Sequence, residues 1–113
     1  TRVRSSAASD VYKRQIYKYP LEFTCPQTIK LPSSAEILYV DSQRNTPTIW
    51  AIIDTDDKST IEVDVYIIST GQAFDASNKL YVGSCMTENG LFVWHIFIDY
   101  SKSENIILPS VDL

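Results

Sequence analysis

The chain holds one imidazole, His95, and chemistry built on it needs a second group within reach. A general base, a nucleophile or a metal site each takes several side chains converging in space. The carboxylates that could serve are Asp54 and Glu62; the thiol that could serve is Cys85. His95 alternates with Val93 and Phe97 in an apolar run, so it reads as a packed or rim histidine before it reads as a catalyst. Asp54-Thr55-Asp56-Asp57 has the density of acids of a calcium loop, but it lacks the glycine at the sharp turn and the distal glutamate. A solvated acidic turn is the simpler reading. Ser69-Thr70-Gly71-Gln72 gathers hydroxyls beside a glycine without a nucleophile elbow, and no glycine-rich phosphate loop occurs. Cys25 and Cys85 are far apart with no CxxC spacing, so they read as reduced thiols, Cys85 an inert one in a strand. No catalytic set, cofactor or metal is expected.

Two surfaces remain as candidates. Asp54, Asp56, Asp57, Glu62, Asp64 and Tyr66 form a possible acidic interaction surface, with Glu62, Asp64 and Tyr66 alternating on one strand face. Alternatively, Trp50, Trp94 and His95 line a pocket for a small ligand or nucleotide at the mouth of a β-barrel.

The elements that must position these residues are strands. Seven short segments carry β-branched and aromatic residues at period two, and no window of helical length keeps an i, i+3, i+4, i+7 pattern. They are 16–21, 27–31, 36–41, 48–54, 60–69, 79–86 and 91–99. Residues 48–54 are apolar on both faces and so central; Pro20 places the first strand at an edge. In the fifth, Ile61, Val63, Val65 and Ile67 share the dry face. Asn89-Gly90 in the turn Thr87–Gly90 marks a hairpin between the last two. The last strand is too apolar to have one wet face. The pattern predicts an all-β, mainly antiparallel meander, closed as a small barrel or folded as a two-layer sandwich.

With 113 residues, one domain is the limit. The expected division is an arm over 1–15, a single β domain over 16–100 and a tail over 101–113, in which Ile106–Leu108 could add an edge strand. The arm stands apart: Ser5–Gln15 resembles a translated sequencing-adapter read, although its Arg2, Arg4, Lys13 and Arg14 also suit a natural basic arm. The whole chain carries −4, and the arm's four cations and one Asp leave residues 16–113 at −7. An acidic domain lacks the clustered cations that phosphate binding needs, so no nucleic acid is expected. No apolar run approaches the ~20 residues of a membrane helix, and no signal peptide is visible. A cytoplasmic protein is expected.

Several segments together resemble a known family. Ile16-Tyr17-Lys18-Tyr19-Pro20-Leu21, Ile29-Lys30-Leu31-Pro32 and Ala35-Glu36-Ile37-Leu38-Tyr39-Val40 follow its pattern in order. So do Ile49-Trp50-Ala51-Ile52-Ile53-Asp54, Thr70-Gly71-Gln72, Tyr81-Val82-Gly83-Ser84 and Val93-Trp94-His95-Ile96-Phe97. The chain is similar to small uncharacterised proteins of roughly a hundred residues encoded by phages and prophages. Relatives carry Thr-Gly-His where this chain has Thr70-Gly71-Gln72, a departure that sets this position apart. The resemblance implies a phage or prophage setting and no mechanism. The missing catalytic set, the charge of −7 and the small single domain lead instead to the expectation of a non-enzymatic accessory protein that binds a host or phage protein through an acidic, half-exposed sheet face.

Overall fold

A computed structural model describes residues 13–99. Seven strands form: β1 (Arg14–Pro20), β2 (Gln27–Pro32), β3 (Glu36–Gln43), β4 (Thr46–Asp54), β5 (Thr60–Ser69), β6 (Lys79–Thr87) and β7 (Phe92–Asp99). No helix occurs among the described residues, and so none there that is long and apolar enough to cross a membrane. The strands make two antiparallel sheets, ordered β1-β4-β3 and β2-β5-β7-β6. The sheets stack as a sandwich and do not close, so of the two expected architectures the barrel is not formed. β3–β4 and β6–β7 are hairpins, while β1–β2, β2–β3 and β4–β5 cross between sheets.

Alternation explains the core. Ile49 and Ala51 of β4, Val63 and Val65 of β5, and Ile96 and Ile98 of β7 are all 0% exposed. Each of the isoleucines and valines among them contributes about 1.5–3 kcal/mol relative to exposure. β4 and β7 are central, as their apolarity requires, and β1 lies at an edge. β1 begins at Arg14, two residues ahead of the expected Ile16; Arg14 and Gln15 pair with Asp54 and Ile53 through the backbone ladder. The segment Ile106–Leu108 lies outside the described residues.

Two bulges break the period of two. Leu38 in β3 and Val82 in β6 are extra residues against their partner strands. Buried Ile37 and Val40 are therefore three apart, and so are Val82 and Cys85. Beside the second bulge, Gly83 lets β6 approach β3: a Cβ there would stand 2.7 Å from the Cβ of Val40.

The hairpin turns differ in tightness. Arg44 and Asn45 both take positive φ between paired Gln43 and Thr46, a two-residue type I′ turn. The β6–β7 loop sits one residue later than expected, between paired Thr87 and Phe92, with Glu88, Asn89 and Gly90 all at positive φ. The two turns hold each other: Glu88 N–H donates to Asn45 Oδ1 at 2.7 Å, and Asn45 Nδ2 donates to the Glu88 carboxylate.

Candidate functional site

The six residues of the acidic surface divide into a loop group and a strand group. Asp54 closes the β4–β5 turn, its Oδ1 accepting from the Asp56 amide at 2.9 Å. Asp56 pairs with Lys13 at 2.7 Å. The Asp57 carboxylate accepts from the Ser59 hydroxyl (2.7 Å) and amide (3.0 Å), the Ser34 amide (3.0 Å) and the Ser33 hydroxyl (3.2 Å). These bonds, the Ser59 hydroxyl foremost and Ser34 next, hold its carboxyl well below the usual carboxylate range. Asp57 is thus a tie between the β2–β3 turn and the β4–β5 loop.

Glu62, Asp64 and Tyr66 stand on the outer face of β5, opposite the buried side of Val63 and Val65. Asp64 accepts from the Thr28 hydroxyl of β2 at 2.8 Å. The Lys79 ammonium sits 4.6 Å from the centre of the Tyr66 ring, a cation–π contact.

Trp50, Trp94 and His95 do not meet. Trp50 alternates with buried Ile49 and Ala51, so it faces out from the three-stranded sheet, where its ring lies 5.8 Å from that of Tyr39. Trp94 packs against the core and donates its indole N–H to Thr87 Oγ1 at 2.8 Å. His95, the next residue along an extended strand, points to the opposite face. Cys85 pairs with Trp94 on the inner side, and burial, then Asp41, pushes its thiol up to about 11. Burial and the raised thiol both disfavour the reactive thiolate.

The constellation that sequence reasoning missed lies around His95. Its Nε2 is 2.8 Å from the Thr70 hydroxyl, and its Nδ1 is 2.9 Å from the Ser84 hydroxyl. Ser84 Oγ is in turn 2.7 Å from the Tyr81 hydroxyl. Ser84 faces His95 because the two are register partners across β6–β7, and Ile68, two residues before Thr70, is the partner on β5. A neutral imidazole donates from one nitrogen and accepts at the other, so the four groups make one directional chain. Among the described residues the imidazole bonds to two hydroxyls and to no carboxylate, so the arrangement lacks the orienting acid of a hydrolytic triad.

Aromatic rings flank this chain. Tyr66, Phe97 and Tyr81 are register neighbours across β5, β7 and β6. Tyr81 and Phe97 have centroids 5.6 Å apart, and Phe74 from the β5–β6 connection lies 4.9 Å from Phe97. Phe74, Phe97, Tyr81, Ser84, His95 and Thr70 border an open groove of about 450 Å³. The covering that the apolar β7 required comes in part from this aromatic row. Among the described residues, no group of three or more His, Cys, Asp or Glu is placed to hold a metal ion.

No curated protein and no solved structure matches the chain. One protein-family model, described as a domain of unknown function (DUF7352), matches residues 12–106 and so takes in every strand described above. The chain therefore belongs to the DUF7352 family.

Proposed function

We propose that this chain is a non-catalytic accessory protein of a phage or prophage, acting in the host cytoplasm by binding a host or phage protein. The binding surface is the outer face of the four-stranded sheet. The supporting observation is the row Tyr66–Phe97–Tyr81 across three strands, with Phe74 laid against it and Tyr81 53% exposed. Partly exposed aromatics clustered on a rigid sheet and bordered by charge have the make-up of an interface centre. Glu62, Asp64 and Lys79 supply that border, so half of the acidic surface read from the sequence belongs to it.

The chain bearing Tyr81→Lys tests this against Tyr39→Lys, on the outer face of the other sheet and 57% exposed. Each is tagged and exposed to host lysate beside the wild type. A protein retained by wild type and Tyr39→Lys but lost with Tyr81→Lys supports the reading. Equal retention by all three, or no retained protein at any salt concentration, overturns it. The same reading takes residues 1–15 as translated adapter sequence. Arg14 and Gln15 pair onto β4 through backbone groups that any residue carries, and the ion pairs Lys13–Asp56 and Arg14–Glu36 are between solvent-exposed side chains, where such pairs add little. A complete gene from a related genome tests that part.

A further inference from the structure

The groove beside His95 has three properties that together define an occupant. Three aromatic rings line it, Phe74, Phe97 and Tyr81, with Phe97 in contact with the other two. No Asp, Glu, Lys or Arg borders it, so it offers no counter-charge and suits a neutral group. Its polar lining holds a hydrogen-bonded chain, Tyr81–Ser84–His95–Thr70, whose two inner members are satisfied from both sides, and beside it Ser69 and Gln72, where the Ser69 amide and hydroxyl donate to Gln72 Oε1.

The ends of that chain are what a ligand meets. If Tyr81 donates to Ser84 and Ser84 to Nδ1, then Nε2–H donates to Thr70, and the Thr70 proton is left over. Run in reverse, Thr70 donates to Nε2, and the Tyr81 proton is left over. In either direction one end offers a proton and the other a lone pair. A hydroxyl on an aromatic ring matches both conditions, because it donates or accepts and its ring stacks on the walls. Aliphatic hydroxyls lack the ring, and phenyl rings leave the chain end unmatched.

We infer that this groove is the anchor pocket of the binding face and takes the phenol of a tyrosine side chain presented by the partner protein. This rests on the protein-binding reading above. The volume of about 450 Å³ lies within the range of built ligand sites, roughly 300–1,000 Å³, and leaves room for a ring entering from the open side.

The test titrates the full chain with N-acetyl-tyrosinamide and, separately, N-acetyl-phenylalaninamide, following the His95 imidazole and Thr70 resonances by NMR. The tyrosine probe is expected to bind about tenfold more tightly, the preference one hydrogen bond confers in a partly open site. Thr70→Val keeps the side-chain shape and is expected to abolish that preference while leaving phenylalanine-level binding. Phe74→Ala is expected to weaken both probes alike, and its folded state is checked by the dispersion of its own spectrum. Equal affinities for the two probes, or shifts that avoid His95 and Thr70, overturn the inference. A tyrosine preference in a chain whose captured proteins ignore Tyr81→Lys upholds the groove and removes the protein reading. A captured partner that depends on Tyr81, with no tyrosine preference at the groove, does the reverse.

Discussion

The β6–β7 hairpin has two faces built on one backbone, and they treat polar groups in opposite ways. On the inner face the Trp94 indole N–H and the Thr87 hydroxyl close on each other, and Thr87 is 3% exposed. Cys85 is buried beside them, and at Gly83 there is no room for a methyl group. On the outer face, one residue away in each strand, Ser84 and His95 belong to a chain whose ends open into a groove. Inside, polarity is consumed in a pair and Gly83 is closed against Val40; outside, it is linked in series with room left over. The contrast separates groups closed into the core from groups that face solvent across a groove. Asp57, in the β4–β5 loop, belongs with the first kind despite its surface position, because four donors already occupy its carboxylate.

The sharpest way to break the contrast is through thiol reactivity. With Cys85 raised from 9.0 to about 11, its thiolate fraction near neutral pH is about a hundredfold lower than for an unshifted thiol. Iodoacetamide labelling followed by peptide mass spectrometry should modify exposed Cys25 while Cys85 stays intact in the native chain. Comparable labelling of both would show that the inner face is open.

Next comes Gly83→Ala, which should destabilise by about 3 kcal/mol, since the new methyl meets the backbone-anchored Cβ of Val40. Ser84→Ala, one residue along and facing out, should cost less than about 1 kcal/mol. Urea unfolding of both variants measures the gap, and equal losses would erase it. Thr87→Val strands the Trp94 N–H in a buried site and should cost about 2 kcal/mol by the same measurement. His95→Ala should cost under about 1 kcal/mol, because the Thr70 and Ser84 hydroxyls it leaves can reach water in the groove.

The smallest effect concerns Asp57. Its folded carboxyl is held below the ordinary value of 3.8, so its contribution is fully present above that pH. The contribution fades as pH falls below 3.8 toward the folded value. Asp57→Asn should therefore flatten the fall in melting temperature between pH 4 and pH 2.5 that the wild type shows. Parallel curves for the two proteins would mean that the ties to Ser33, Ser34 and Ser59 do not stabilise the folded state.

Strand positions were legible because a strand's signature is local. β5 runs over Thr60–Ser69 as its alternation indicates, with Val63, Val65 and Ile67 buried and Glu62, Asp64 and Tyr66 turned away. The groove was not legible, and the hairpin shows why. A turn closing at Met86 and Leu91 sets His95 opposite Val82. Closing at Thr87 and Phe92, as the structure does, sets it opposite Ser84. A slide of one residue at the turn moves the partner by two. The signal that could have found the pair is the register itself, and three consecutive residues of positive φ hid it.

The chain's own pattern of alternating side chains determined that it folds as sheets with a dry interior, which strands are central, and which side of each strand faces in. That follows from the period-two geometry of extended backbone, felt residue by residue. Tertiary structure alone decided that the sheets stay open, and that bulges at Leu38 and Val82 shift the phase of two strands. It also decided that Thr70, 25 residues before His95, arrives at its ring. Such meetings depend on where turns close and how sheets cross, and those are settled by packing across the whole domain.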